Sequence, residues 1–451
     1  MTGYEKVKRM AKALQCNTAD LLVLARQNDP FYVGSPTERK MAEWFAELWR
    51  RFGYSAGIHL RRIHYQLVSQ EDPRKHNGKP YENTENDWAY LCNAGKYARY
   101  LGLVDPEAFV DRRNPDPHVF REYDEFCEPP SFGIDFPPWE MPNLNVDLVG
   151  DLDWSLPAFV PRGYEYSDSL QPYHIEVWVE KSTMNDVLVP LCERYGVNLV
   201  TGLGFMSITS VIDLLKRINE MQKPCRIFYI SDFDPAGDGM PTAVARQIEY
   251  WLETYAPAAD IKLTPIVLTR DQVEQYRLPR TPVKDSDRRK NNFEERYGEG
   301  AVELDALEAL YPGKLARIVK ENIMCFWDTE LQAKMTRTRT AATKELNACW
   351  EALVRPFQNE LDEIRSRVEG VVQKYQMQLD EISEEMAAEL EPYEEMVNSL
   401  WQAIQDIADS VSPDLPDLPE PEVEEDDRAW LFDSRRDYFD QLTAYRAWKG
   451  G

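Results

Sequence analysis

Residues 174–182 read HIEVWVEKS, and residues 225–237 read CRIFYISDFDPAG. Each opens as a short apolar run rich in β-branched and aromatic residues, the pattern of a strand buried on both faces. Each then ends on carboxylates: Glu180 after the first run, Asp232 and Asp234 after the second. Around them the pattern alternates. Helices are expected over 183–195, 207–218 and 239–253, with further strands over 198–201 and 262–268. Strands alternating with helices of that length predict an α/β fold whose parallel sheet is covered on both faces. Pro265 inside the last strand cannot donate to a ladder, so that strand is expected at a sheet edge.

In an open parallel sheet, ligands bind outside the carboxyl ends of the strands, beside a switch in strand order. Glu180, Asp232 and Asp234 are expected on that rim. Alternate residues of a D-x-D turn point the same way, so Asp232 and Asp234 can face Glu180 across adjacent strands. Three hard oxygen donors with no His or Cys suit Mg2+. The Pro-x-Gly that follows turns the backbone tightly into the next helix, whose N-terminus can face a phosphate. A lone D-x-D also serves for structural capping in many folds. The more specific signal is the whole order: strand-Glu, helix, strand, Gly-rich turn TGLGFMS (201–207), helix, strand-DxDPxG, helix. Lys181, beside Glu180, reads either as a phosphate contact or as a surface lysine.

Upstream, residues 1–30 read as a short helix pair, and 37–51 as an amphipathic helix after Ser35 and Pro36. LRRIHYQLV (60–68), a polar insertion EDPRKHNGKP and a helix from Tyr81 to Leu103 follow, an order compatible with a winged-helix module. Residues 114–172 are proline-rich and lack sustained periodicity, so they read as an ordered but irregular connector. Downstream, residues from Leu361 to Ile407 carry apolar side chains at spacings of three and four, an a/d seam over several heptads. Pro392 is expected to break or kink it. The seam fits a helical hairpin packed on its own chain or a coiled coil that joins two chains. The expected division is a helical, winged-helix-like domain over 1–113, the connector over 114–172, the parallel-sheet domain over 173–325, a helical arm over 326–410, an acidic linker over 411–428 and a last helix over 429–451.

The 451 residues carry 52 Lys+Arg against 78 Asp+Glu, a net charge of −26. Residues 381–430 hold 17 of the acids and only Arg428 as a base, so that stretch alone supplies −16. It reads as a solubilising face, a DNA mimic or a partner-docking tail. Elsewhere basic residues cluster, at Arg50, Arg51, Arg61 and Arg62, at Arg112 and Arg113, and at Lys284, Arg288, Arg289 and Lys290.

Taken together, Glu180, the D-x-D turn and TGLGFMS resemble the Toprim domain of topoisomerases, bacterial primases and related nucleases. LRRIHYQLV narrows this. It looks like the motif of the topoisomerase VI A subunit and the meiotic double-strand-break transesterase, in which an Arg precedes an aromatic-Tyr pair and the second Tyr attacks DNA. Arg61 takes the motif's arginine and Tyr65 its nucleophile, while His64 replaces the first aromatic. The domain order also agrees, and the likeness covers about residues 55–325. VELDAL (302–307) is similar to a segment of bacterial and mobile-element Toprim proteins. The resemblance implies double-stranded DNA as substrate and Mg2+ held by Glu180, Asp232 and Asp234. It implies Tyr65, Arg61 and Glu180 as catalytic residues, with Arg62, Lys181, Arg112 and Arg113 on DNA. A phenol of pKa about 10 needs a nearby positive charge to ionise, and Arg61 lies one helical turn from Tyr65. With tyrosine and metal on separate domains, a homodimer is implied. Two alternatives stay open: a Toprim nuclease in which metal-activated water attacks, and a non-catalytic DNA-binding scaffold subunit.

Other classes are disfavoured. Seven scattered cysteines with no C-x-x-C argue against a disulfide framework or zinc ribbon, and five histidines with no H-x-x-x-H against a His-rich metal site. The sequence has no P-loop motif, so strand passage calls for a separate ATPase subunit. Mean hydropathy is −0.55 and the longest apolar runs fall short of a membrane span. The start MTGYEKVKRMAK lacks an apolar signal region, which leaves a cytoplasmic protein as the expectation.

Overall fold

The computed structural model describes residues 3–110, 115–121, 129–142, 153–202, 204, 206–375, 383–424 and 426–450. The chain opens with helices α1 (Gly3–Leu14), α2 (Pro36–Arg51), α3 (Leu60–Val68) and α4 (Glu85–Tyr100). Local chemistry starts three of them. Ser35 and Glu38 form a capping box ahead of α2, with Pro36 in its first turn. His59 Nδ1 accepts from the Arg61 amide to begin α3, and Thr84 Oγ1 accepts from the Asp87 amide to begin α4. Their inward faces, including Phe45, Trp49, Ile63, Leu67 and Leu91, form one core. Gly95 brings α4 against Phe45, whose ring a Cβ there would meet at 3.2 Å.

Then comes the sheet. Its elements are β3 (His174–Val179), α5 (Asn185–Arg194), β4 (Asn198–Thr201), α6 (Ile208–Met221), β5 (Cys225–Ile230), α7 (Met240–Tyr255) and β6 (Ile261–Val267), after an earlier pair β1 (Ser131–Asp135) and β2 (Ala158–Arg162). Four short helices follow: α8 (Arg270–Gln275), α9 (Lys290–Tyr297), α10 (Leu304–Leu310) and α11 (Lys314–Met324). The strand order is β4-β3-β5-β6, all parallel, with β7 (Phe432–Asp433) added antiparallel to β6. The expected α/β class is therefore observed. The chain runs outward from β3 to β4 and then returns past β3 to β5, so the order reverses between β3 and β5.

Each face of the sheet builds its own core. Trp178, Val200, Ile227, Tyr229 and Leu263 face α6, α7 and, beyond them, the N-terminal helices. Ile175, Val177, Val179, Phe228 and Ile230 face the side that carries Leu188 of α5 and Leu315 and Val319 of α11. The edge expectation for Pro265 needs correction, because β7 covers β6. That cover stops at Lys262 and Leu263, so Pro265 lies beyond the paired stretch and no β7 ladder bond is asked of it.

Contacts divide the chain into two compact units that cut across the expected domains. The first is Met1–Tyr123, Gln171–Asp328 and Val423–Gly451; the second is Asp124–Leu170 and Thr329–Glu422. Segments 1–113 and 173–325 thus share a core instead of folding as separate bodies. The last helix, α14 (Tyr438–Gly450), belongs with them. Arg246 of α7, fully buried, pairs with Asp29 at 3.3 Å and donates to the Tyr438 hydroxyl at 2.7 Å, which donates in turn to the Leu21 carbonyl at 2.6 Å.

In the second unit the connector is less irregular than its sequence, since β1 and β2 pair antiparallel. The arm is two helices, α12 (Leu331–Tyr375) and α13 (Ser383–Ala408). Both Pro356 and Pro392 lie inside helices, so the break expected at Pro392 is not observed; residues 376–382 lie outside the described residues. Leu361, Ile364 and Val368 of α12 are buried in one cluster with Leu390, Val397 and Ile404 of α13. The seam is closed within one chain, so the dimerising coiled coil is not required to cover it.

One buried polar group stands at the centre of the sheet. Glu176 of β3, fully buried, accepts two hydrogen bonds from Arg217 of α6 at 3.0 Å each, one from Trp178 Nε1 at 2.8 Å, and contacts His174 Nε2 at 3.0 Å. Burial would raise its carboxyl, but the Arg217 guanidinium and His174 outweigh that and hold it at about 2. A carboxyl held below its ordinary value stabilises the fold above pH 4.5, and that contribution fades as pH falls toward 2. Glu176→Gln removes the counter-charge of the partly buried Arg217, a loss of about 1–3 kcal/mol. Urea unfolding at pH 7 should show that deficit, and the gap to wild type should narrow as pH is lowered from 4.5.

Candidate functional site

The β3 and β5 ends meet where the strand order reverses, the position at which such sheets bind ligands. Glu180 continues β3 and Asp232 follows β5 by two residues. They are joined directly: Glu180 Oε2 accepts from the Asp232 amide at 3.0 Å. Asp234 is held by its own turn, with Oδ1 accepting from the amides of Ala236 at 2.8 Å and Gly237 at 2.6 Å. That turn requires glycine at 237, where a Cβ would stand 2.1 Å from the Asp232 carbonyl oxygen. The expected trio of carboxylates is therefore brought to one rim.

A fourth segment completes the cluster. Phe233 and Val302 exchange backbone hydrogen bonds at 2.9 Å each, which draws the start of α10 beside the turn. The Leu304 amide then donates to Asp232 Oδ1 at 2.7 Å. Lys181 Nζ lies 3.0 Å from Asp232 Oδ2, 2.8 Å from Asp305 Oδ2 and 3.6 Å from Glu303 Oε2. The sequence reading placed Lys181 here but not Glu303 or Asp305. Their one trace is the alternate-acid spacing inside VELDAL, which repeats that of the D-x-D turn.

The electrostatics follow from this crowding. Burial, then the neighbouring charges of Asp232 and Asp234, push the Glu180 carboxyl up to about 7, against the Asp232 amide and Lys181. Asp232 is also raised, by burial first, although Leu304 and Lys181 pull the other way. Lys181 is raised because its bonds to Asp305 and Asp232 outweigh burial. The donor chemistry suits Mg2+, with hard carboxylate oxygens alone and a Glu180 charge that a cation would relieve. As they stand, among the described residues, no three His, Cys, Asp or Glu side chains are grouped to hold an ion. Asp232 has both oxygens engaged, one by an amide and one by the Lys181 ammonium.

Tyr65 and Arg61 lie elsewhere in the same unit. Tyr65 is 61% exposed on α3 and Arg61 and Arg62 are exposed with it. The Tyr65 hydroxyl has no partner among the described residues, and no described contact joins Tyr65 to Arg61 or to the carboxylates. His64, by contrast, is buried, with Nδ1 2.7 Å from the Tyr81 hydroxyl and Nε2 3.0 Å from Asn83 Oδ1. It pins α3 to the following insertion and leaves Tyr65 turned outward. Arg112 and Arg113 lie outside the described residues.

No family model and no curated protein matches this sequence. Among the described residues, no helix is long and apolar enough to cross a membrane.

Glu180 makes a pH test of the cluster. A carboxyl raised from 4.5 to about 7 on folding binds more protons in the folded than in the unfolded chain, so it costs stability as pH rises from 4.5 through 7. Glu180→Gln keeps an acceptor for the Asp232 amide and removes the charge. In EDTA, its melting temperature should exceed wild type by a few degrees at pH 8, and the difference should shrink toward pH 5.

Proposed function

We propose that this chain cleaves DNA in a Mg2+-dependent reaction, as a Toprim-like protein resembling the topoisomerase VI A subunit. The observation that carries the reading is the meeting of Glu180, Asp232 and Asp234 at the reversal of strand order, with Glu180 driven toward neutrality by burial and by its neighbours. Carboxylates crowded at a ligand-binding position and set against one another are what a cation site needs before the cation arrives. On this reading the N-terminal helices act as the winged-helix-like part that carries the nucleophile.

Glu180, Asp232 and Asp234 would hold the metal, which when bound supplies charge neutralisation at the scissile phosphate. Lys181 must release Asp232 for this. It has a second berth ready, since Asp305 and Glu303 already share its ammonium. The exposed Tyr65 supplies the attacking oxygen. Its phenolic Oη bonds to phosphorus, the P–O3′ bond breaks, the phenolic proton leaves to solvent or base, and the 3′ oxygen takes up a proton. The product is a 5′ phosphotyrosyl link and a free 3′ hydroxyl. Arg61 and Arg62, exposed on the same short helix, supply positive charge beside the incoming phosphate. Without a described contact between Tyr65 and the carboxylates, the reading takes Tyr65 from one chain and the carboxylates from a second, in a homodimer that does not depend on the helical hairpin.

Two variants test it. Asp232→Ala with Asp234→Ala should abolish Mg2+-dependent nicking or cutting of plasmid DNA, and a double variant that cuts at the wild-type rate would sink the metal-site reading. Tyr65→Phe, at an exposed position, should change stability by less than about 0.5 kcal/mol. It should nevertheless lose both cleavage and the labelled protein–DNA adduct that survives denaturation. If Tyr65→Phe cleaves normally and wild type forms no adduct, hydrolysis by water replaces transesterification.

A further inference from the structure

The first unit contains a cleft of about 1430 Å3 that the cleavage reading leaves unassigned. It runs between α4 on one side and the 284–296 segment on the other, with Pro235 and Gly239 in its wall. Those two belong to the loop that carries Asp232 and Asp234. Its lining is basic in a chain of net charge −26. Lys96, Arg99, Lys284, Arg288, Arg289 and Arg296 line it, with Lys449, against Asp238 and Asp287. Both acids are already answered within the cleft, Asp238 by Arg296 at 2.6 Å and Asp287 by Arg289 at 2.9 Å. Lys284 and Arg288 are exposed at its rim and have no partner among the described residues.

We infer that this cleft receives a single strand of nucleic acid and leads it to the carboxylate rim. Basic groups spread over several elements do not fit one small anion, which is bound by donors converging on a point. They fit a backbone with phosphates at intervals. Between the charges the lining includes the partly exposed Leu60 and Trp88, apolar surfaces on which bases can lie. Sites for drug-sized ligands occupy roughly 300–1,000 Å3, so this cleft has room beyond a single nucleotide. The first turns of α6 and α7, at Ser207 to Thr209 and at Gly239, also face the cleft and add their positive ends. Arg289, paired first with Asp287, also feels the negative charges of Asp234 and Glu180, which links cleft and rim electrically.

The delivery of the strand to the carboxylates rests on the cleavage reading; the binding of the strand does not. The test is fluorescence anisotropy on the full chain in EDTA, with labelled dT12 and a labelled 12-base-pair duplex. The strand should bind at least tenfold more tightly than the duplex. Lys284→Glu with Arg288→Glu should weaken strand binding tenfold or more and make its salt dependence shallower, by about 1.4 in the log–log slope for two phosphates. Lys8→Glu with Lys12→Glu, the same charge change on exposed positions of α1, should stay within twofold of wild type. Duplex binding equal to strand binding, a rim variant within twofold of wild type, or equal losses in both variants overturns the inference. Because the assay reads no chemistry, strand binding without plasmid cleavage counts against the cleavage reading alone, and plasmid cleavage with normal strand binding by the rim variant counts against the cleft alone.

Discussion

The sheet is organised around a carboxylate removed from water and the partly buried guanidinium that answers it. Glu176 and Arg217 carry opposite charges between β3 and α6, and the buried carboxylate is tolerable there because Arg217 answers it. The pair also sets register. Side chains along a strand alternate between faces, so Glu176 facing α6 obliges Trp178 to face the same way and Ile175, Val177 and Val179 to face the opposite core. A slip of one residue would bury the carboxylate among apolar groups with no donor. Glu180, four residues on, inherits its position from that arrangement, and the turn after β5 is hydrogen-bonded to Glu180 in turn. The geometry at the rim is therefore fixed from beneath, by an ion pair that takes no part in it.

That dependence explains what could be read from the chain in advance. Alternating short apolar runs and helices between 174 and 268 are written in local pattern, and so is a carboxylate at the end of each of two runs. Those features yield the α/β sheet and the meeting of Glu180 with Asp232 and Asp234. What escaped was set by distance along the chain. Glu303 and Asp305 reach Lys181 only because Val302 pairs with Phe233, a contact across about seventy residues. The two residues of β7 lie some 170 positions after β6, and no periodicity marks so short a strand. β1 and β2, with Gly133 and Pro161 among five residues each, lack the composition that ordinarily signals a strand.

Domain boundaries were the least legible feature for a related reason. Composition along the chain separates a helical start, a proline-rich stretch and a sheet region, and it suggests one body for each. Cores are built by surfaces, not by segments. The amphipathic faces of α2 and α4 and those of α6 and α7 are complementary in the folded chain, and nothing in either sequence names the other. The heptad seam shows the converse. Its period correctly announces a helix-to-helix seam, but a period says nothing of whether the partner helix is the next one along or another molecule.

The interleaving of the units has a consequence for how the chain is made. Everything in the second unit is synthesised between Thr329 and Glu422 or in the earlier stretch from Asp124, while the first unit still lacks its final strand and helix. Until Phe432 and Asp433 emerge, β6 offers an unpaired parallel edge. Until Tyr438 emerges, Arg246 has no hydroxyl beside it and Leu21 keeps an open carbonyl. The growing polypeptide is thus obliged to carry a sticky sheet margin through more than 160 residues of further translation. The acid-rich stretch that precedes the closing strand arrives late in that interval, and mutual repulsion among such tails is a ready means of keeping neighbouring nascent chains apart.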